Sequence, residues 1–226
     1  MAQSPHRRKL VSSLTIVELG LLDLARIMET EKASFIPAIQ ASKESIRKRF
    51  SLGHIMLGAE IAGRLVGKIC FSYANFSPND FAGFPKTFQE FSHQPRPERY
   101  NSVFVYNLDV IPEERGSKAA SLLIRAMFER AKKDGCIYVV VDGRPSSYNG
   151  NVAKEERVKQ NPKLKAALDS YLAGGPFPTD EELMTDPTLA FYIRVAGGGK
   201  FLWIIPGFLP GDKPAGGIRV IGYKEI

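Results

Sequence analysis

The hydrophobic pattern changes its period several times along the chain, which indicates alternating strands and helices. Ser13 to Leu19 alternates apolar and polar residues and predicts a first strand, while Leu21 to Ala33 carries apolar residues near helical spacing. Ser42 precedes the segment KESIRKRF as a helix cap, and Gly53 follows it as a stop. We therefore predict one strand and then two helices, the second ending near Leu52.

The middle of the chain predicts a hairpin and then a strand, a helix and a strand. His54 to Glu60 and Arg64 to Ala74 are apolar runs with a short polar connection between them, as in an antiparallel hairpin. Val103 to Val110 is a third apolar run, and Ala119 to Lys132 then repeats apolar residues at i, i+3 and i+4. Cys136 to Val141 is continuously apolar, which is typical of a buried parallel strand, so we expect a right-handed βαβ unit.

Two segments lack this regularity and are interpreted as insertions. The first covers residues 75–102 and is rich in Pro and Phe, and the second covers residues 143–187. The elements predicted in or after the second insertion are a helix at Pro162–Ala173, a short helix at Leu189–Val195, and strands at Lys200–Ile205 and Ile218–Glu225. The resulting main order is β-α-α-β-β-β-α-β-α-β-β. We expect a single domain over residues 1–226 with a basic tail at residues 1–12.

Composition places the chain among ordinary globular proteins. Its 226 residues are 44% hydrophobic and 24% charged, which is enough for one well-packed core. Cys70 and Cys136 both lie in apolar runs, so we expect buried free thiols in a reducing compartment. Glu18, Asp23 and Arg26 interrupt the first apolar stretch, which argues against a secretion signal. No window approaches the roughly 18 apolar residues of a membrane span, so a cytoplasmic protein without a membrane partner is expected.

The net charge of +7 would suit nucleic acid, a membrane surface or an anionic nucleotide cofactor. Lys and Arg are spread through every segment and are interleaved with Glu and Asp, which favours solvated helix faces over a nucleic-acid groove. His6, His54 and His93 show no partner spacing, so no metal site is expected.

The segment NLDVIPEERGSKAASLLIRAMFERA carries the clearest chemistry. An apolar strand ends there in a tight turn that opens a helix, so unpaired backbone N–H groups and the positive end of the helix dipole point at one spot. Such a spot suits a pyrophosphate. Small residues, including Gly116 and Ala120, allow close approach, and Arg115 adds a charge-assisted contact or a structural cap.

This segment resembles the cofactor motif of the GNAT superfamily of N-acetyltransferases, V-x-P-x-x-[RQ]-G-x-G-x-[GA]-x-x-L. The matching residues are Val110, Pro112, Arg115, Gly116, Ala120 and Leu123. Lys118 departs from the pattern, because the family has a second glycine there, and we expect it to cost the loop some backbone freedom. The resemblance resumes at Leu189, Ala190, Phe191, Tyr192 and Gly197. More weakly, GRPSSYNGN and DPTLAFYIRVAGGG resemble GNAT domains that adjoin nitrilase-like hydrolase domains.

The resemblance implies an α/β fold with a mixed central sheet and helices on both faces, and it implies binding of acetyl-CoA or a related acyl-CoA. The implied cofactor-binding residues are Leu108, Val110, Arg115, Gly116, Ser117, Lys118, Ala119, Ala120 and Ser121. In this family an amine attacks the thioester directly within a ternary complex. The fourth and fifth strands are expected to separate after a bulge near Leu108 to Val110, where a backbone N–H polarises the thioester carbonyl.

Tyr192 matches the position at which many family members keep a tyrosine general acid. The general base is left open between Asp109, Asp142 and a relayed water, and Asp109 is kept beside Tyr192 as the second candidate catalytic residue. The acceptor is expected to be a small-molecule or peptide amine bound by the two insertions. The alternatives are a non-catalytic acyl-CoA sensor or interaction module and a nucleic-acid-associated protein, and a homodimer is left open.

Overall fold

Seven strands build one mixed sheet in the computed structural model, which describes residues 13–150 and 158–226. The strands are β1 Leu14–Glu18, β2 Ile55–Ile61, β3 Arg64–Ala74, β4 Ser102–Val110, β5 Tyr138–Gly143, β6 Lys200–Ile205 and β7 Arg219–Glu225. Their order across the sheet is β1-β2-β3-β4-β5-β7-β6. β4 and β5 are parallel, and every other neighbouring pair is antiparallel. The predicted basic tail and residues 151–157 of the second insertion lie outside the described residues.

Helices cover both faces of the sheet. They are α1 Leu24–Ser34, α2 Lys43–Ser51, α3 Phe88–Ser92, α4 Ala119–Lys133, α5 Pro162–Leu172, α6 Asp180–Leu183 and α7 Pro187–Val195. α1, α2 and α3 contribute buried residues to the apolar cluster on one face, and α4 contributes to the cluster on the other. The predicted α/β class and the predicted order of the main elements are confirmed. No described helix combines the length and apolarity that a bilayer crossing requires.

The helix α4 shows how the sequence pattern becomes packing. Its apolar positions at helical spacing are the ones that the structure buries, including Leu123, Ile124 and Met127. Each large side chain buried in this way contributes about 1.5–3 kcal/mol to stability. These side chains lie against the β4 residues Val103 and Val105, while the intervening Phe104 belongs to the cluster on the opposite face. The strand therefore alternates between two cores, as its period of two requires.

The hairpin between β2 and β3 turns at Ala62 and Gly63, which have φ of 51° and 77°. A two-residue turn with positive φ at both positions matches the right-handed twist of the flanking strands. β3 begins and ends where the sequence predicted, and β2 begins and ends one residue later than predicted.

The bulge in β4 lies at Tyr106, so the expectation of a bulge near Leu108 to Val110 is wrong. Cys70 pairs with Asn107 and Phe71 pairs with Val105, which leaves Tyr106 as the extra residue. The bulged side chain is held by a contact with a distant part of the chain. The hydroxyl of Tyr106 lies 3.1 Å from Nδ1 of His54. Burial lowers the pKa of His54 to about 4, so the imidazole in this contact is neutral at pH 7.

The first insertion packs on the sheet through its aromatic side chains. Phe76 and Phe84 both contact the ring of Trp203 from β6, and Phe91 stacks edge-on against Phe104 at 4.2 Å between ring centroids. The backbone N–H of Phe88 donates to the carbonyl of Phe208 at 2.8 Å. These contacts hold the first insertion against β4 and β6.

The second insertion completes a third apolar cluster. Leu164 and Leu168 from α5 and Leu183 from α6 are fully buried. Ile204 and Val220, from β6 and β7, belong to the same cluster. Because these helices share their core with the last two strands, the insertion is fixed to the sheet and directs α7 back toward β5.

Candidate active site

A cleft of about 490 Å³ opens where β4 separates from β5. The two parallel strands pair only from Ser102 with Tyr138 to Val105 with Val141, whereas β4 continues to Val110. The expected separation of these strands is therefore present, and it begins at the bulge. The walls of the cleft come from α1, α2, the first insertion, the end of β4, the start of α4, the end of β5, α7 and the start of β7.

One wall of the cleft belongs to residues 115–121, here called the cradle, which lead from a turn into α4. Gly116 has φ of 90°, a conformation that favours glycine, and no atom lies within 4 Å of the Cβ position it lacks. The N–H of Ser117 donates to the carbonyl of Glu114 at 3.0 Å, and the N–H of Ala119 donates to Oγ of Ser117 at 3.2 Å.

Four other amides of the cradle have no hydrogen-bond partner within residues 13–150 and 158–226. They belong to Gly116, Lys118, Ala120 and Ser121. Unpaired N–H groups at a helix N-terminus form an anion site, and the helix dipole adds positive potential there. The turn thus has the geometry of an anion site, and its occupation by a pyrophosphate stays a prediction.

Lys118 fits this turn without strain. It is the N-cap of α4 with φ of −78°, a value that any L-residue adopts, so the family's second glycine is not required for this backbone path. We expected Lys118 to cost the loop backbone freedom, but the backbone conformation at this residue shows no such cost. Its side chain is exposed, as is that of Arg115, whose Nε donates to the carbonyl of Val110 at 3.4 Å.

The predicted cofactor-binding residues fall into two groups. Leu108, Val110, Arg115 and Ala120 line the cleft. Gly116, Ser117, Lys118 and Ser121 are exposed at the turn and the first helical residues. Ala119 differs, because its side chain is buried and its N–H is already bound to Ser117, which leaves it no free donor.

Tyr192 lies between the cleft and a smaller apolar pocket that is lined by α4 residues, including Ile124 and Met127. Its hydroxyl has no hydrogen-bond partner in the described part of the chain. Burial raises the pKa of Tyr192, and the neighbouring charge of Asp142 raises it further. The phenol is therefore protonated at neutral pH and can donate a proton.

Asp186 fixes the helix that carries Tyr192. Its Oδ1 accepts the N–H groups of Thr188 and Leu189 at 2.8 and 3.0 Å, which caps α7. Its Oδ2 accepts the backbone N–H and the hydroxyl of Ser147, each at 2.7 Å, in the loop that follows β5. One fully buried carboxylate thus joins the end of β5 to the start of α7.

Asp109 belongs to a buried ionic triad with Glu31 and Lys68. Lys68 is the cross-strand neighbour of Asp109, its ammonium contacts the Asp109 carboxylate, and it lies 2.8 Å from Oε2 of Glu31. Burial alone would lower the pKa of Lys68, but the two carboxylates outweigh it and raise the pKa. Burial raises the pKa of Asp109, and the ammonium of Lys68 opposes that shift. Oδ2 of Asp109 has no hydrogen bond within the described residues.

Asp142 belongs to a second buried group of charges, here called the arginine network, with Arg144, Asp212 and Arg219. Asp212 accepts two hydrogen bonds from Arg144, both 2.8 Å, and one from Arg219 at 2.9 Å. Asp142 holds a looser contact, with its Oδ2 3.8 Å from Nε of Arg219. Burial therefore dominates, and it raises the pKa of Asp142 to about 8 even though Arg219 opposes the shift.

Several of these charged residues were not predicted from the sequence. Lys68 and Arg219 each stand within an apolar strand segment, LVGKICF and GIRVIGY. A single charge inside a predicted buried strand is a usable signal, because a buried charge requires an opposite charge nearby. The signal does not identify the partner, since Glu31 lies far from Lys68 along the chain and Arg219 also faces the distant Asp142.

Together these features define a class of α/β protein, one that binds an anionic cofactor at a strand-turn-helix corner beside two separated parallel strands. A family model described as the Acetyltransferase (GNAT) family matches residues 24–149, more than half of the chain. The chain belongs to the GNAT acetyltransferase family, and the predicted resemblance is confirmed. No curated protein matches the chain.

Solved structures agree on the fold over nearly the whole chain. The loading GNATL domain of CurA from Lyngbya majuscula superposes with a TM-score of 0.71 at 18% identity, over 94% of this chain and 98% of that chain. The GphF GNAT-like decarboxylase in complex with isobutyryl-CoA has a TM-score of 0.70 at 20% identity, over 93% and 98%. The ribosomal-protein-S18-alanine N-acetyltransferase from Escherichia coli has a TM-score of 0.54 at 12% identity, over 95% and 94%.

Proposed function

We propose that this protein transfers an acetyl or related acyl group from acyl-CoA to the amine of a small molecule or peptide. The observation that carries the proposal is the shared cleft. Leu108, Arg115 and Ala120, on the cradle side, open into the same space as the carboxylate of Asp142 and the unbonded hydroxyl of Tyr192. An acyl donor and an acceptor bound there would meet without leaving the cleft, as direct attack in a ternary complex requires.

The cradle and the end of β4 would hold the donor. The free amides of the cradle suit the pyrophosphate of CoA, and the exposed side chains of Arg115 and Lys118 can reach its phosphates. Beyond Val105, the backbone of β4 has no partner on β5. A backbone N–H in this stretch is positioned to stabilise the negative charge that develops on the thioester oxygen.

Tyr192 would protonate the departing thiolate, and we assign the general base to Asp142 rather than to Asp109. Asp109 is held in direct contact with Lys68, so accepting a proton would weaken a buried ion pair. Asp142 has the looser contact with Arg219 and a pKa of about 8, close to the pH at which a base works best. Asp109 then serves to hold α1 against β4.

The pH dependence of turnover tests the assignment of Asp142. A base with a pKa of about 8 is active only when deprotonated, so kcat/KM should rise with pH through that value and level off above it. The rise from pH 7 to the plateau should be about tenfold. Asp142→Asn should lower turnover and remove the part of the rise that is centred near pH 8. If the variant keeps the wild-type profile, Asp142 is not the base.

The proposed activity itself is tested by binding and by release of free CoA. Acetyl-CoA and CoA should raise the melting temperature, whereas duplex DNA should not. With acetyl-CoA present, a panel of primary amines should then accelerate CoA release above the rate without amine. Gly116→Val should weaken acetyl-CoA binding, because valine disfavours φ of 90°, and Gly174→Val, at φ of 93° away from the cleft, is the matched control for folding.

The outcomes separate the alternatives. If CoA species stabilise the protein but no amine causes the release of CoA from acetyl-CoA, the protein is a non-catalytic acyl-CoA sensor and not a transferase. Malonyl-CoA belongs in the same panel, because GphF is a GNAT-like decarboxylase. If malonyl-CoA is converted to acetyl-CoA in the absence of an amine, the activity is decarboxylation and not acyl transfer. Absence of stabilisation by any CoA species would overturn acyl-CoA binding altogether.

A further inference from the structure

Arg49 presents a positive charge to the cleft from the last turn of α2. Its guanidinium carbon lies 5.1 Å from the ring centroid of Phe88 and 5.4 Å from that of Tyr106. The two rings hold the side chain from the first insertion and from the bulge of β4. Arg49 is half-buried and lines the cleft, so its charge borders the space where an acceptor would lie.

No carboxylate in the described residues forms an ion pair with Arg49. The acidic side chains that line the cleft are Glu31, Asp109 and Asp142. Glu31 and Asp109 are bound to Lys68, and Asp142 faces Arg219. Glu44, an acid on α2 itself, contacts Arg47 at 4.0 Å on the exposed side. Arg49 therefore keeps an uncompensated charge in a partly desolvated site, where an anionic ligand gains the most.

We propose that Arg49 binds a carboxylate of the acceptor, so that the substrates of this protein are amines that also carry a carboxylate, such as amino acids. This inference rests on the proposed function. A carboxylate fits better than a phosphate, because one planar guanidinium matches both oxygens of a carboxylate. Among the other cations that line the cleft, Arg144 and Arg219 already hold Asp212, and Arg115 lies on the cradle side.

Arg49 also lies away from the proposed CoA site. It belongs to α2, which packs on one face of the sheet, whereas the cradle opens α4 on the other face. The acceptor would then span the cleft, with its amine near Asp142 and its carboxylate at Arg49. Such an arrangement would select acceptors by the distance between these two groups.

Matched pairs of acceptors test this proposal. Glycine, β-alanine, γ-aminobutyrate, 5-aminovalerate and 6-aminohexanoate are each compared with the alkylamine that lacks the carboxylate, at constant acetyl-CoA. For the length that fits, we expect kcat/KM of the amino acid to exceed that of the alkylamine by about tenfold or more. Arg49→Gln should remove at least about tenfold of this preference through KM, and Arg49→Lys should retain part of it. Arg47→Gln, on the same helix but exposed, should retain it fully.

Equal kcat/KM within every pair, or an unchanged preference in Arg49→Gln, would overturn the proposal. If no amine releases CoA, the proposed function fails, and calorimetric binding of glutarate to the CoA-bound protein then tests the anion site alone. Glutarate should bind the wild type at least about tenfold more tightly than Arg49→Gln, and equal affinities would refute the site. An effect of Arg49→Gln on KM for malonyl-CoA, but not for the amino acid, would assign the charge to the acyl donor instead.

Discussion

Tyr192→Phe should lower kcat by at least about a hundredfold while leaving the affinity for acetyl-CoA nearly unchanged. The substitution removes only the hydroxyl, which has no hydrogen-bond partner among the described residues, so it breaks no internal bond. The ring remains beside the apolar pocket that Ile124 and Met127 also line, and the fold should be preserved. What is lost is the proton that the departing thiolate requires. Steady-state CoA release and calorimetric titration of acetyl-CoA measure the two quantities separately.

Tyr171→Phe is the matched control, because Tyr171 lies on α5, away from the cleft, and packs against Phe177. It should change neither kcat nor affinity. The pH profile is a further check, because Tyr192→Phe should lower the plateau without moving the rise near pH 8 that is assigned to Asp142. If Tyr192→Phe retains full turnover, another group protonates the thiolate and Tyr192 only shapes the cleft.

Lys68→Met should lower the free energy of unfolding by about 3–5 kcal/mol. Lys68 is fully buried and is the shared partner of Glu31 and Asp109. Its removal leaves two carboxylates close together in a region of low dielectric constant, where neither is compensated. Urea titration monitored by circular dichroism measures the loss. Lys48→Met, at an exposed position on α2, should shift the midpoint little.

A second substitution distinguishes charge from packing in this triad. If the loss comes from uncompensated carboxylates, the triple variant Lys68→Met, Glu31→Gln, Asp109→Asn should recover a substantial part of the stability. A loss of less than about 1 kcal/mol in Lys68→Met would mean that the triad is hydrated or protonated rather than ionic. The same titration at pH 5 and pH 7 would then show whether folding is coupled to uptake of a proton.

The strand-turn-helix corner could be predicted from the sequence because its information is local. The apolar run of β4, Pro112 and Gly116 in the turn, and the helical spacing of α4 all lie within one short segment. Each follows from a rule about neighbouring residues, namely strand alternation, turn conformation and helix periodicity. The family motif lies on this same segment. The sequence by itself therefore determined the fold class and the order of elements, and it predicted the corner at which we propose that CoA binds.

The charged contacts were decided only by the tertiary structure. Lys68 meets Glu31 because β3 lies beside β4 beneath α1, and Arg219 meets Asp142 because β7 inserts next to β5 rather than after β6. The hydrophobic pattern of the sequence does not predict such ion pairs, since they depend on the order of strands in the sheet. For this reason the sequence could not decide between Asp109 and Asp142 as the general base. The two carboxylates differ in their ion-pair partners, and those partners come from distant segments.

The position of the bulge in β4 was likewise not predicted correctly from local sequence. The sequence predicted that β4 and β5 separate, but it placed the irregularity near Leu108 to Val110. The structure places it at Tyr106, where His54 and Arg49 meet the tyrosine ring and hydroxyl. Local pattern thus determined the strands, the helices and the cradle, because those depend on backbone geometry between near neighbours. Burial and long-range pairing decided which charges face the cleft, because only the folded sheet brings those residues together.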